Sequence, residues 1–484
     1  MYAPTVAPKG FAGRSRIRSR QRLPIHTALA TGLSERKINP TTTVLAIVVS
    51  RADAASEHIG EKLLEVADWT ERTDDTTPLD HGGGTYYTRE GMELRFFADR
   101  HIDATGLAGP FDDPDLLVVA SKHAGDTGRL LTVHPTGNFG SADYGGEADA
   151  LARAAPNAQK RALEALARHA PAGYETGIEC THHGPTDLDV PSMFVELGSS
   201  EAEWADPAGA EAVARAILDL DVDPETDRAL VGFGGGHYCP RFERVVRETD
   251  WAVGHVAADW SLAAMGDPRE NPVVRAAFER TGAEFALIEG DYPDLREAID
   301  DLGFRAVSES WVRETSGVPL GTVARVEAEL GAVADGVALG ALAQGYTGAF
   351  EVLPLPAALV ETAVGIDRDA ARDAVFARSV AFETEQAGTV PAGRAALVSA
   401  AAREAIVADL VPVLEQKYDE VCVDGGRVVA RTAEFDPEKA RTLGIEEGPA
   451  FGRLAAGEAV EVRGREITPE TVRTEREDVF PLSG

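Results

Sequence analysis

The sequence predicts an α/β fold: a mixed, largely parallel central sheet with flanking helices, followed by a smaller acidic C-terminal α+β domain. Three observations predict it. Short, continuous, β-branched apolar runs alternate with helix-period segments through the first two thirds of the chain. Several of those runs end in polar clusters rich in histidine, glycine and proline. The composition then shifts near Gly317–Gly340 to an Ala-, Glu- and Val-rich remainder. At 484 residues the chain exceeds what one core usually organises, so two domains are expected.

Residues 1–43 stand apart as a leader, with eight basic residues against the single acid Glu35 and no apolar stretch of a secretory signal. Such a segment reads as a disordered extension, a transit-like segment or a nucleic-acid arm. From Val44 the pattern becomes globular. Val44–Val49 is a continuous apolar run of the kind a buried strand requires, and Ala54 to about Trp69 has helical periodicity. Further strands are expected at Met92–Phe97, Leu116–Ala120, Leu130–His134, Tyr174–Ile178, Ser192–Leu197, Ala229–Phe233, Trp251–Val256 and Phe285–Ile288. Helices are expected at Ala158–His169, Ala208–Leu220, Arg241–Glu248, Pro272–Thr281 and Leu295–Leu302. These elements make 44–321 one domain, in which the chemistry is expected. In 322–484 helices are predicted over Asp367–Thr384 and Ala392–Lys417, a hairpin at Gly425-Gly426, and a small β-unit from Gly452 to Val472. Nothing catalytic is visible there, so 322–484 reads as an accessory domain.

Charge and composition bound the setting. The formal net charge is −33, and 40 of the 47 basic residues are arginine. A heavily acidic, lysine-poor surface suits concentrated salt, where the Debye length falls to about 3 Å and the charge no longer repels a polyanion at a distance. No apolar run is long enough to cross a bilayer. Three scattered cysteines, Cys180, Cys239 and Cys422, form neither a disulfide framework nor a CxxC zinc motif, which places the chain in a reducing, cytoplasmic compartment.

Ten of the eleven histidines lie between His58 and His255. Histidine binds divalent metals and moves protons near neutrality, so the chemistry is expected where it concentrates. Glu179-Cys180-Thr181-His182-His183-Gly184-Pro185 leaves the end of a strand, where ligands gather in open α/β sheets. On extended chain, adjacent side chains point to opposite faces, so His182 and His183 are expected in different roles. Gly234-Gly235-Gly236-His237-Tyr238-Cys239-Pro240-Arg241 also follows a strand, and its glycines expose N–H groups to an anion. It matches no nucleotide-binding fingerprint and reads otherwise as a tight turn with a packed Tyr238. Lys122-His123 and His134-Pro135-Thr136-Gly137-Asn138 close two further strands, and Arg51 and Asp53 follow the first. Cys180 and Cys239 read as structural.

Taken together, these segments resemble the archaeal and plant type of D-aminoacyl-tRNA deacylase, in its long halophilic form. Ser50-Arg51-Ala52-Asp53, Ser121-Lys122-His123, Leu131–Asn138, Glu179–Pro185, Pro191–Ser199 and Gly234–Arg241 occur in family order over roughly Val44 to Gly303. The THHGP and GGGHY segments carry the specificity jointly. The resemblance implies a fold related to peptidyl-tRNA hydrolases and nucleoside phosphorylases, and an association with zinc, up to two ions. The implied reaction is hydrolysis of the ester of D-aminoacyl-tRNA, with zinc-activated water as the nucleophile.

On this reading His123, His134, His182 and His237 are expected metal ligands, with His183 and Glu196 as further candidates. His182, His183, His237 and Glu179 are the expected catalytic residues. Lys122, Arg241, Asn138 and the amides of Gly234, Gly235 and Gly236 are expected to hold substrate or its oxyanion. A metal-free mechanism with histidine as general base is the alternative within the family. A peptidyl-tRNA hydrolase-like enzyme, or another metal-dependent esterase or amidase, is the alternative outside it. The non-enzymatic alternative is a tRNA-binding scaffold with structural histidines. The expected partner is the 3′ end of D-aminoacyl-tRNA; no membrane is expected, and the chain is expected to be a monomer.

Overall fold

Apolar runs become strands where both faces are covered, and this decides the layout of the computed structural model. It describes residues 44–220, 223 and 226–482; the basic segment 1–43 lies outside the described residues. β1 (Leu45–Ser50) is buried throughout and leads into α1 (Ala54–Val66). β2 (Thr70–Asp74), β3 (Gly84–Arg89) and β4 (Met92–Phe97) follow as an antiparallel meander. β5 (Leu116–Ala124), β6 (Leu130–His134), β7 (Gly137–Asn138), β8 (Ala150–Leu151), α2 (Pro156–His169), β9 (Glu175–Ile178) and β10 (Ser192–Ser199) come next.

The main sheet has the order β2-β3-β4-β1-β5-β10-β6-β9. β4, β1, β5 and β10 are parallel neighbours, whereas β6 runs antiparallel to β10 and β9 follows β6. α3 (Glu201–Trp204) and α4 (Pro207–Leu218) follow β10. α1, α2 and α4 contribute Ile59, Leu63, Leu163, Leu166, Val213 and Ile217 to one buried cluster with the sheet.

The strands after Ala229 build a second sheet and do not extend the first. β11 (Ala229–Phe233), α5 (Pro240–Glu248), β12 (Ala252–Ala257), α6 (Asp259–Met265), α7 (Val273–Thr281), β13 (Phe285–Ile288), α8 (Pro293–Asp301) and β14 (Arg305–Val307) alternate as expected. Their strands form a wholly parallel sheet in the order β12-β11-β13-β14.

The C-terminal residues differ from expectation at three places. Asp367–Thr384 is helical only over Arg368–Phe376, and Ala381–Glu385 is a strand. Ala392–Lys417 begins inside a strand, Val390–Leu397, and is helical over Ala400–Leu414. Alanine's helix preference is overridden here by packing on both faces. Ala381 and Ala396 join the cluster under the main sheet, whereas Phe382 and Leu397 join a second cluster with Leu359, Ile406 and Leu410. The first cluster therefore runs through Val323 and Val326 to Ala396 without a break at residue 321. The Gly425-Gly426 hairpin is present between Glu420–Asp424 and Arg427–Phe435. In the tail a helix, Pro449–Ala455, precedes the hairpin of Val460–Val462 and Arg465–Ile467.

Candidate active site

The histidine-bearing segments reach one cavity from two directions. β5 carries Ser121, Lys122 and His123 along β10, with Ser121 opposite Glu196 and His123 opposite Gly198. β6, running the other way, sets His134 beside Phe194. A side chain at Gly198 would lie 2.6 Å from His123 Cβ, so this glycine lets the histidine strand approach. Glu179 leaves β9 with its amide on Val133 O at 3.2 Å. Cys180 N donates to His237 O and Thr181 N to Val256 O, both at 2.8 Å, which ties the second sheet to the first at the site.

The cavity, about 430 Å³, is lined by Asp53, Arg100, His101, Ser121, Lys122, His123, Tyr144, Glu179, His182, His183, Glu196 and His237. At its floor two carboxylates, Glu179 and Glu196, are buried among five imidazoles. His237 Nε2 donates to Glu179 Oε2 at 2.7 Å. His123 Nδ1 stands 3.0 Å from Glu179 Oε1, and His182 Nε2 3.7 Å from Glu179 Oε2. His134 Nε2 and His183 Nε2 face Glu196 Oε1 at 3.5 and 3.9 Å. Burial opposes ionisation of both acids, yet the imidazoles hold them below the usual carboxylate range: His123 and His237 act on Glu179, His134 and His183 on Glu196.

The imidazoles are driven apart. Burial and the neighbouring rings push His182 well below its ordinary value. Burial also works against a charge on His237, but Cys180 Sγ at 3.4 Å and Glu179 raise it to about 10.

The adjacent histidines share one face, against expectation. The rings of His182 and His183 lie 4.4 Å apart, and His134 packs 4.4 and 5.0 Å from them. The cause is a left-handed backbone at His183, φ 49°, which breaks the alternation of extended chain. Each of these three rings sets Nδ1 on a backbone carbonyl: His134 on Pro135 O (3.2 Å), His182 on Cys180 O (2.8 Å) and His183 on Gly184 O (2.7 Å). A carbonyl only accepts, so Nδ1 carries the proton, and a ring with no second proton presents an Nε2 lone pair. At His134 burial opposes the charge, but Glu196 raises the ring and favours a proton between them.

Lone pairs facing buried carboxylates require a cation between them, either a proton or a metal ion. His134 Nε2, Glu179 Oε1 and Glu196 Oε1 are buried without a hydrogen-bond partner of good geometry. Three donor groups have ligand atoms within 4.8 Å of one another: His134, His182 and His183; Cys180, His182 and His237; and His123, Glu179 and Glu196. Nitrogen and carboxylate donors with their distal nitrogens on carbonyls fit a divalent ion. The four expected ligands His123, His134, His182 and His237 therefore divide among three groups, two of which share His182.

Other expectations are corrected by position. Arg241 does not line the cavity, because its guanidinium is held by Glu309 (3.1 Å) and Ile288 O (3.2 Å). The amides of Gly234 and Gly235 are committed to Ala257 O and Asp259 Oδ1, both at 2.7 Å, so of the three only Gly236 is uncommitted among the described residues. Asn138 is a brace: its Nδ2 donates to Gly145 O and Glu147 O, both at 3.0 Å. Lys122 does line the cavity, with Nζ 5.1 Å over the Trp204 ring.

Sequence reasoning missed His101, whose Nε2 lies 2.9 Å from Ser121 Oγ and which burial lowers to about 3. It follows the end of β4, so the strand-end rule applied to the other histidines would have found it. Tyr238 packs edge-on against the rings of His123 and His237, and its Oη lies 3.2 Å from His123 Nε2. Cys180, read as structural, adjoins His237. Cys239 is buried against the Gly236 and His237 carbonyls, and burial pushes its thiol well up.

Buried carboxylates ringed by imidazoles, in a cavity above a largely parallel sheet, mark the candidate active site of an α/β enzyme. A family model described as D-aminoacyl-tRNA deacylase matches residues 110–306. A D-aminoacyl-tRNA deacylase of Natronomonas pharaonis is 52% identical over 439 residues, covering 90% of this chain and 100% of that protein. Those of Haloarcula marismortui (52%; 90% and 99% covered) and Methanoculleus marisnigri (34%; 81% and 90% covered) are also similar. A crystal structure described as a conserved protein of unknown function is 27% identical, with a TM-score of 0.51 over 57% of this chain and 98% of its own. The chain belongs to the D-aminoacyl-tRNA deacylase family.

Proposed function

We infer that this chain hydrolyses the ester bond of D-aminoacyl-tRNA, releasing free D-amino acid and tRNA and so removing D-residues before they reach a peptide. Family membership over nine tenths of the chain supports the substrate. The observation that carries the chemistry is the floor of the cavity, where Glu179 and Glu196 are buried among His123, His134, His182, His183 and His237.

His134, His182 and His183, with Glu196 beside them, are the residues proposed to hold a zinc ion, and the His123, Glu179 and Glu196 group offers a second place. Zinc bound there supplies Lewis acidity next to the ester. Glu179 orients His237 through Oε2, and its Oε1 faces His123 Nδ1. His237, cationic and hydrogen-bonded to Glu179, stands where a developing oxyanion or leaving ribose oxygen needs a positive charge or a proton. The Gly236 amide is the remaining donor of its turn. Lys122 is proposed to meet the phosphate of the 3′ end, and exclusion of the L-ester is steric.

Every cavity residue falls between Asp53 and His237, which supports 44–321 as the catalytic segment and 322–484 as accessory. Among the described residues no helix is long and apolar enough to cross a membrane. We place the enzyme in the cytoplasm as a monomer; its three free cysteines accord with a reducing compartment.

Release from matched D- and L-tyrosyl-tRNA in molar KCl, before and after chelation, tests this reading. D-selective release that chelation abolishes and zinc restores is expected. D-selective release untouched by chelation removes the metal and keeps the substrate; no release of either ester removes the substrate.

A further inference from the structure

We propose that Tyr144 is a stacking platform for the terminal adenine of the tRNA, an inference that rests on the deacylase reading of the same cavity. Tyr144 lines the cavity that holds the histidine–carboxylate floor, yet it is 72% exposed. The ring offers a wide face to a ligand at the cavity, and the backbone that carries it is held in place.

The loop between β7 and β8 is pinned on both sides of the ring. Tyr144 O accepts from Gly184 N at 3.2 Å, which attaches it to the segment bearing His182 and His183. Asn138 braces Gly145 O and Glu147 O, and Glu147 N donates to Thr186 Oγ1 at 3.0 Å. Gly145 has φ 89°, and a Cβ there would stand 2.2 Å from Ile102 O, so the chain is seated directly against its neighbour. Backbone order is thus imposed on a loop whose largest side chain buries little of itself.

The position suits a base. The ester and the adenine of the substrate are carried by one ribose, so a ring at the mouth is within reach of the base when the ester meets the floor. Arg100 and Lys122 line the same cavity and are the cations available to the adjoining phosphate. The acidic composition indicates a saline setting, in which phosphate contacts lose strength steeply with salt. Stacking has no counterion release to lose, and contributes about 1–3 kcal/mol per base.

The test is equilibrium binding of an uncharged RNA minihelix ending in CCA, in molar KCl, against the same RNA with its terminal base removed. The wild-type chain is expected to bind the abasic RNA roughly tenfold to a hundredfold more weakly. Tyr144→Ala is expected to bind both RNAs at that weaker level, and Tyr144→Phe and Tyr144→Trp to restore the preference. A wild-type chain indifferent to the base, or a Tyr144→Ala chain that keeps the preference, overturns the proposal. Turnover of D-tyrosyl-tRNA by the wild-type chain reports on the deacylase reading separately. A chain that prefers the intact 3′ end but hydrolyses no D-ester keeps the platform and loses that reading.

Discussion

His182 and His183, neighbours in sequence, turn their rings into one cavity 4.4 Å apart, because His183 adopts a left-handed backbone. This places two adjacent imidazoles beside His134 and over the two buried glutamates. Both residues should therefore matter to the same step. His182→Ala and His183→Ala are each expected to lower D-tyrosyl-tRNA turnover roughly 100-fold or more and to reduce bound zinc. Elemental analysis alongside single-turnover kinetics checks it; full activity in either variant sinks the shared role.

The partnerless buried atoms of His134, Glu179 and Glu196 make a cation stabilising to the fold as well as useful to chemistry. Zinc added to chelator-stripped protein at a hundredfold excess over its dissociation constant is expected to stabilise the native state by about 2.7 kcal/mol. Glu196→Gln should lose much of that increment. Thermal unfolding with and without zinc measures both, and an unchanged Tm in the wild type removes the ion.

His255 gives the pH dependence a structural component outside the cavity. It is fully buried between Thr181 Oγ1 (3.1 Å) and Ala152 O (2.9 Å), and burial lowers it to about 4. Above its ordinary value of about 6.5 neither state binds the proton, and the native state keeps its full stability. As pH falls from about 6.5 to about 4 the unfolded chain takes the proton first, so stability declines, by on the order of 3 kcal/mol in total. Urea titrations across that window should show a shallower slope for His255→Gln than for the wild type.

Asn138 acts through the Tyr144 loop. Asn138→Ala frees the Gly145 and Glu147 carbonyls and is expected to cost about 1–3 kcal/mol. It should also speed amide exchange over residues 139–149 and raise KM for tRNA. Protection equal to wild type in that segment would show that the brace is not Asn138.

Lys122 and Arg241, paired as substrate cations on sequence grounds, should separate in experiment. Lys122→Ala is expected to raise KM severalfold, since its side chain lines the cavity. Arg241→Ala should leave KM within about twofold and instead loosen the contact of α5 with Glu309, to which Arg244 and Arg313 also bind. Steady-state kinetics of the pair decides it.

Much of the catalytic half was legible before any coordinates. Met92–Phe97, Leu130–His134, Ala229–Phe233 and Phe285–Ile288 are strands with the predicted bounds, because short, largely buried apolar runs between turn signals pack best as sheet strands. Local chemistry also singled out His123, His134, His182, His183 and His237, whose rings the structure brings together around Glu179 and Glu196. What local pattern misread were two strands in an alanine-rich stretch, Ala381–Glu385 and Val390–Leu397, which are held extended by cores on both faces.

Sequence alone determined which elements form and which residue types could do chemistry, because period, propensity and turn signals act over a few residues. Only the tertiary structure decided which of them meet. The antiparallel entry of β6 brings His134 to Glu196, the backbone at His183 turns its ring inward, and Glu309 draws Arg241 away. Strand order and side-chain partners come from contacts far apart along the chain, and no local window of sequence contains them.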